Sequence, residues 1–170
     1  MENSKALPTP EEKVVALLQE KGYHISFAES CTGGLCSARL VSVSSASAVF
    51  DAGVVTYANE AKIKYLGVKS ETIERYGVVS EQVAGQMAEG VAKAQNAEVG
   101  VGVSGIAGPS GGTVTKPVGM VCFGFYVDGE VTTVTKQFGD LGRNVVREAA
   151  TEFVFEKLVK MLGGKENETV

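Results

Sequence analysis

A single histidine, His24, is the shortage that removes most chemistry from this chain. A Ser-His-Asp arrangement needs an imidazole that reaches the hydroxyl from a separate element. His24 opens a predicted strand shortly before Ser30 on the same segment, so it reads as an edge residue. Cysteine is scarce as well: Cys31, Cys36 and Cys122 are an odd number without CxxC spacing. They fit neither a disulfide framework nor a His/Cys zinc site, and a reduced, cytoplasmic compartment is expected. No apolar run approaches the roughly 18 residues of a membrane span. The opening Met-Glu-Asn-Ser-Lys lacks the basic, then apolar, pattern of a secretion signal. Basic residues are also in deficit, 16 Lys and Arg against 20 Asp and Glu, for a net charge of −4. That balance argues against a domain that coats nucleic acid, whose footprint is a basic excess, while leaving room for a local basic pocket. Neither GxSxG nor GxxxxGK[ST] occurs, and there is no internal repeat.

What is present suits one globular domain: 170 residues, 44% hydrophobic and 21% charged. Such a chain buries about 70% of its unfolded surface without a staple. Its 21 glycines fall in short runs beside apolar segments, where they predict tight turns and close backbone approaches. Thr9, Pro10 and Glu12 form a T-x-x-E start for a helix that Gly22 ends. A strand is expected over 24–28, a helix to Val41, a Ser/Ala loop over 43–48 and a strand over 52–57. Asn59 is expected to cap a helix ending at Gly67, and Ser70–Tyr76 a second one. From Ser80, the residues Val83, Met87, Val91 and Ala94 fall at helical spacing, an apolar face expected to leave surface for a second copy. Val99, Val101 and Val103 alternate with Gly as a strand. Two more strands, 118–127 and 130–137, meet at the hairpin dipeptide Asp128-Gly129. A helix over 143–162 and a frayed tail over 163–170 complete the chain. The alternation predicts an α/β fold, a three-layer sandwich around a mostly parallel sheet, with the final hairpin adding one antiparallel pair. One domain is expected, with 10–162 as its ordered core.

Three polar or glycine-bearing segments carry the chemistry. Glu29-Ser30-Cys31-Thr32-Gly33-Gly34 sits between a strand and a helix, where Ser30 is either a simple cap or a nucleophile beside helix amides. In Tyr57-Ala58-Asn59-Glu60-Ala61-Lys62, the lysine falls near a helix start, whose positive end disfavours an ammonium. Burial there would make Lys62 a base, and exposure a plain surface residue. Ser104 to Gly112 ends a strand with four glycines, suited to letting N–H groups approach a phosphate or sugar. Arg143 and Arg147, one helical turn apart, are either a phosphate clamp or a solvated face.

Taken together, Ala-Glu-Ser-Cys-Thr-Gly-Gly at 28–34, Val-Thr-Tyr-Ala-Asn-Glu-Ala-Lys at 55–62 and Ser-Gly-Ile-Ala-Gly-Pro at 104–109 resemble the signatures of the CinA C-terminal domain family. Lys-Pro-Val-Gly at 116–119 and Arg-x-x-x-Arg at 143–147 match in order, so the likeness covers about 10–162. The family includes nicotinamide mononucleotide deamidases of the PncC type, Ser/Lys amidohydrolases that release ammonia and nicotinate mononucleotide. The resemblance implies an α/β/α fold with a mixed five-stranded sheet. It also implies Ser30 as nucleophile, Lys62 as general base, and Tyr57 assisting position or proton transfer. Amides of the 31–34 turn, with Thr32, Gly33 and Gly34, would stabilise the oxyanion. Ser104, Gly105, Ile106, Ala107 and Gly108, with Arg143 or alternatively Arg147, would hold the nucleotide. No metal or cofactor is implied. Beyond the small-molecule substrate, a homo-oligomer is expected, with no nucleic-acid or membrane partner. The rival readings are a non-catalytic regulatory module linked to competence or DNA damage, and a hydrolase using Cys31.

Overall fold

A computed structural model describes residues 6–164. Of the tail expected over 163–170, residues 165–170 lie outside the described residues. The first helix, α1 (Pro10–Lys21), begins as its residues dictate: Thr9 Oγ1 accepts the Glu12 N–H, and the Glu12 carboxylate accepts the Thr9 N–H at 2.8 Å. Gly22, at φ +68°, closes it in the left-handed conformation that glycine adopts without strain.

There follow β1 (Ile25–Glu29), α2 (Leu35–Val41), a short 3-10 turn at Ala46–Ala48, β2 (Phe50–Val55), α3 (Asn59–Leu66) and α4 (Ser70–Tyr76). Then come α5 (Glu81–Gln95), β3 (Val99–Gly105), β4 (Met120–Val127), β5 (Glu130–Gln137) and α6 (Arg143–Leu162). The 3-10 turn falls inside the expected Ser/Ala loop. β2 starts at Phe50, opposite Ile25, and leaves the sheet after Val55, opposite Glu29, so it sits two residues earlier than its composition suggests. Ala58 stands at the cap of α3 where Asn59 was expected, and no side chain caps that end.

The five strands order as β2-β1-β3-β4-β5. β1 runs parallel to both β2 and β3, and β4 runs antiparallel to both β3 and β5. The hairpin therefore brings two antiparallel pairings instead of one. Its turn has both Asp128 (φ 49°) and Gly129 (φ 93°) left-handed, as a two-residue hairpin requires.

β3 explains the layering. Val99, Val101 and Val103 face α1, α2 and α6, joining Phe27, Phe123 and Phe155 in the larger core cluster. The glycines between them face α5, whose backbone comes so near that a Cβ on Gly102 would land on the Ala84 carbonyl oxygen. Val83, Met87 and Val91 of α5 pack with Ala28 and Leu66 on that side. The apolar stripe of α5, expected to leave surface for a second copy, is thus spent inside the chain.

From β1 the chain crosses through α2 to β2, then returns through α3, α4 and α5 to β3 on the other side of β1. Such reversals leave a crevice beyond the carboxyl ends of the strands. Glu29, Val55 and Val103 share one register at that end, so the polar segments that follow β1, β2 and β3 converge there.

Candidate active site

Ser30 is the first residue beyond β1, and its N–H continues the ladder to the Val103 carbonyl at 3.1 Å. The turn behind it is organised by Glu29, whose side chain is fully buried. One carboxylate oxygen accepts the N–H groups of Gly34 (3.2 Å) and Cys36 (2.8 Å). The other accepts the Ser37 N–H (3.1 Å) and hydroxyl (2.8 Å). Glu29 thereby caps α2, which has no side-chain cap of its own and whose positive end favours an anion. Gly33 donates to the Ser30 carbonyl at 3.0 Å. Among the described residues, the amides of the turn without a protein acceptor are those of Cys31 and Thr32; Thr32 is fully buried, so of the amides expected over 31–34 only that of Cys31 is left free beside the cleft.

The second arm comes from α3. Lys62 is only 1% exposed. Its Nζ stands 3.0 Å from Ser30 Oγ, 2.6 Å from the Thr56 carbonyl oxygen and 3.3 Å from that of Tyr57. Among the described residues, no carboxylate pairs with it. Burial lowers its pKa from the ordinary 10.5, opposed by the nearby Cys31 thiol. In the neutral amine, two N–H bonds satisfy the two carbonyls, and the lone pair is left for the Ser30 hydroxyl. The main chain therefore aims the amine at the Ser30 hydroxyl.

These groups line a cleft of about 400 Å³. Gly105, Ile106, Ala107 and Gly108 form one wall with Ser104, whose buried hydroxyl is spent on the Val78 carbonyl at 2.8 Å. Arg143 reaches in from α6, donating to the Gly108 carbonyl at 2.7 Å and to the Tyr57 hydroxyl at 2.8 Å. Tyr57 itself is 62% exposed, at the mouth of the site. Arg147 points elsewhere: it donates to the carbonyls of Cys31 (2.9 Å) and Thr32 (3.1 Å) and to Asn144 (3.0 Å). The two arginines thus divide, Arg143 lining the cleft and Arg147 holding the turn after Ser30 from behind. Thr32, Gly33 and Gly34 do not line the cleft. Thr32 is buried, and Gly33, at φ +58°, lies against Arg147.

Cys31 lines the cleft yet is 5% exposed, and burial pushes its thiol up to about 12. At neutral pH it is a protonated, unreactive thiol, which removes the ground for a cysteine nucleophile. Among the described residues, no three His, Cys, Asp or Glu side chains gather to hold a metal ion, and no helix is long and apolar enough to cross a membrane.

Sequence reasoning missed three participants. Glu29 was read only as part of a motif, although a carboxylate beside a strand-to-helix turn is the signal of a cap. Asn59 lines the cleft and does not cap its helix. Lys116 also lines the cleft, its ammonium held by the carbonyls of Tyr76 and Val79. A lone cation in a run of small residues was its signal.

Residues 8–162 match the family model described as the CinA C-terminal domain. The chain belongs to the CinA C-terminal domain family. It is 48% identical over 146 residues to a CinA-like protein of Kosmotoga olearia, and 50% identical over 148 to a putative competence-damage inducible protein of Alkaliphilus oremlandii. Those alignments take in 86% and 87% of this chain but 35% and 36% of the relatives, so the chain spans about a third of their length. Solved structures of domain size match end to end. The competence/damage inducible protein CihA of Agrobacterium tumefaciens superposes with a TM-score of 0.86 at 39% identity, covering 94% of this chain and 99% of its own. A CinA superfamily protein of Klebsiella pneumoniae gives 0.87 at 32% identity, with 91% and 96% covered.

Proposed function

We propose that this chain is a nicotinamide-nucleotide amidase, converting nicotinamide mononucleotide to nicotinate mononucleotide and ammonia in pyridine nucleotide recycling. The observation that carries this reading is the buried Lys62 amine 3.0 Å from Ser30 Oγ in an open cleft. With no histidine available, a desolvated lysine is the base that activates a serine.

In the cycle, Lys62 Nζ takes the Ser30 proton as Oγ bonds to the carboxamide carbon, and the carbonyl electrons move onto its oxygen. The free amide of Cys31, on the cleft side of the turn, stabilises that oxyanion. The C–N bond then breaks, the Lys62 ammonium returns its proton to the departing nitrogen, and ammonia leaves an ester on Ser30. A water molecule gives a proton to Lys62 and attacks the ester. Its C–O bond to Ser30 breaks, the proton returns to Oγ, and the acid departs. No step draws on a metal or cofactor. Tyr57, its hydroxyl accepting from Arg143 at the mouth, fits a positioning role better than proton transfer.

The test is ammonia release from nicotinamide mononucleotide without added metal, by wild type, Ser30→Ala and Lys62→Ala. The expected result is wild-type turnover that falls about a thousandfold in each folded variant, within the range of lost acid–base or nucleophilic catalysis. Activity surviving Ser30→Ala would overturn the nucleophile. Nucleotide binding without turnover would move the chain to a non-catalytic regulatory module.

A further inference from the structure

Among the described residues, three cationic side chains line the cleft, Lys62, Arg143 and Lys116, and no Asp or Glu does. None of the three forms an ion pair among the described residues. Lys62 is accounted for as the base. That leaves two uncompensated positive charges facing one concave site, an arrangement that repels itself unless an anion shares it.

Lys116 has no place in the proposed chemistry, yet it is held with care. Its backbone is fixed by a turn in which the Thr113 hydroxyl accepts the Lys116 N–H at 3.0 Å and the Lys116 carbonyl accepts the Thr113 N–H at 2.8 Å. Its ammonium donates to the carbonyls of Tyr76 and Val79, which seat it against the segment between α4 and α5. An ammonium has three N–H bonds. Two are occupied, and no acceptor among the described residues takes the third of this half-buried residue. Arg143 engages the same glycine-rich loop at Gly108.

We propose that Lys116 is a substrate-binding residue which, with Arg143, seats a phosphomonoester on the glycine-rich side of the cleft. A phosphomonoester carries about −1.5 to −2 charges at neutral pH, which two fixed cations match and a lone carboxylate would not. Gly108, Ser110, Gly111 and Thr113 line the same cleft and are the groups nearest in sequence to take the remaining oxygens. The assignment rests on the cleft being a nucleotide site, and it gives that site its preference for the phosphorylated substrate.

The experiment measures binding, so it does not depend on turnover. Nicotinamide mononucleotide and nicotinamide riboside are titrated by calorimetry into the Ser30→Ala protein, carrying Lys116, Lys116→Met or Lys116→Arg. Thermal unfolding of each protein checks that it is folded. The ratio of nucleotide to riboside affinity is expected to fall at least about tenfold in Lys116→Met, the worth of one charge-assisted hydrogen bond. Lys116→Arg is expected to retain most of it. Equal weakening toward both ligands would make Lys116 a wall tether only and overturn the proposal, as would an unchanged ratio. A Lys116-dependent preference, with a wild-type protein that releases no ammonia, would sink the amidase reading and leave the phosphate seat standing. A protein that binds neither ligand loses both.

Discussion

Replacing Glu29 by glutamine keeps the side chain's size and removes half of what it does. Each carboxylate oxygen accepts two donors: Gly34 and Cys36 amides on one, the Ser37 amide and hydroxyl on the other. Glutamine supplies one accepting oxygen and, in place of the other, an NH₂ group pointed at N–H or O–H donors. The cheaper orientation turns the NH₂ toward Ser37, whose hydroxyl can rotate to accept, leaving one amide unpaired. Neutralising a buried carboxylate also returns some desolvation energy, which works the other way. The losses are larger, because charge-assisted bonds contribute about 1.5–3 kcal/mol each and an orphaned buried amide costs about 1–3 more. A net loss of about 3 kcal/mol follows, or roughly 6–12 °C in melting temperature for a domain of this size. Since Ser30 adjoins the distorted turn, kcat should fall while KM changes little. Ser37→Ala is the graded control: it removes one of the four donors and should cost about 1 kcal/mol. Calorimetric melting with ammonia-release kinetics reads both quantities. A Glu29→Gln protein melting within about 2 °C of wild type with full kcat would refute the reasoning, because the turn would then stand without its buried anion.

Lys62 works as a base only when neutral, and burial holds its pKa below the ordinary 10.5, so kcat/KM should rise with pH through an inflection below that value and then level. A flat or falling profile would contradict it, and Lys62→Arg should not rescue activity, because guanidinium keeps its proton. The same shift links to stability: the unfolded chain binds more protons between the folded pKa and 10.5, so the contribution of Lys62 rises with pH across that window. Arg143→Met should raise KM for the nucleotide with little change in melting, whereas Arg147→Met, losing its grip on two turn carbonyls, should lower melting and kcat by about 1–2 kcal/mol equivalents; identical effects would erase the division between them. Cys31→Ala should retain activity, and wild-type Cys31, its thiol pushed up to about 12, should resist alkylation at neutral pH; rapid labelling with loss of turnover would reopen the cysteine reading.

How much of this was legible in the sequence depends on how far each signal reaches along the chain. Thr9 and Glu12, Gly22, Ser80, Asp128 and Gly129 act on neighbours a few residues away, and the elements they bound fall where expected. The alternation of valine and glycine in β3 was equally visible, though not that its glycine face would admit the α5 backbone. β2 slipped by two residues because its end is set by pairing with Glu29, and its own composition carries no trace of that. The site was legible as residue types in motifs and illegible as geometry. Arg143 and Arg147 are equivalent by spacing; they differ because one reaches Gly108 and the other Cys31, through contacts more than thirty residues distant in the chain.

Lys62 shows most plainly where local reasoning stops. Nothing in Asn59–Leu66 buries a lysine: the helix carries Glu60, Lys64 and Tyr65, all exposed. Lys62 is enclosed because the Thr56 and Tyr57 carbonyls lie just ahead of its own helix, and the pairing of β1 with β2 brings Ser30, 32 residues away, to the same end of α3. That arrangement also explains why the amine needs no carboxylate to orient it, as an imidazole would. Two main-chain carbonyls do the orienting, and being uncharged they place the amine without adding a negative charge that would stabilise its protonated form. Introducing a carboxylate within reach, as in Asn59→Asp on the cleft wall, should therefore raise the pKa of Lys62 and move the inflection of kcat/KM toward alkaline pH. An inflection that stayed in place would mean that the group titrating in the profile is not Lys62.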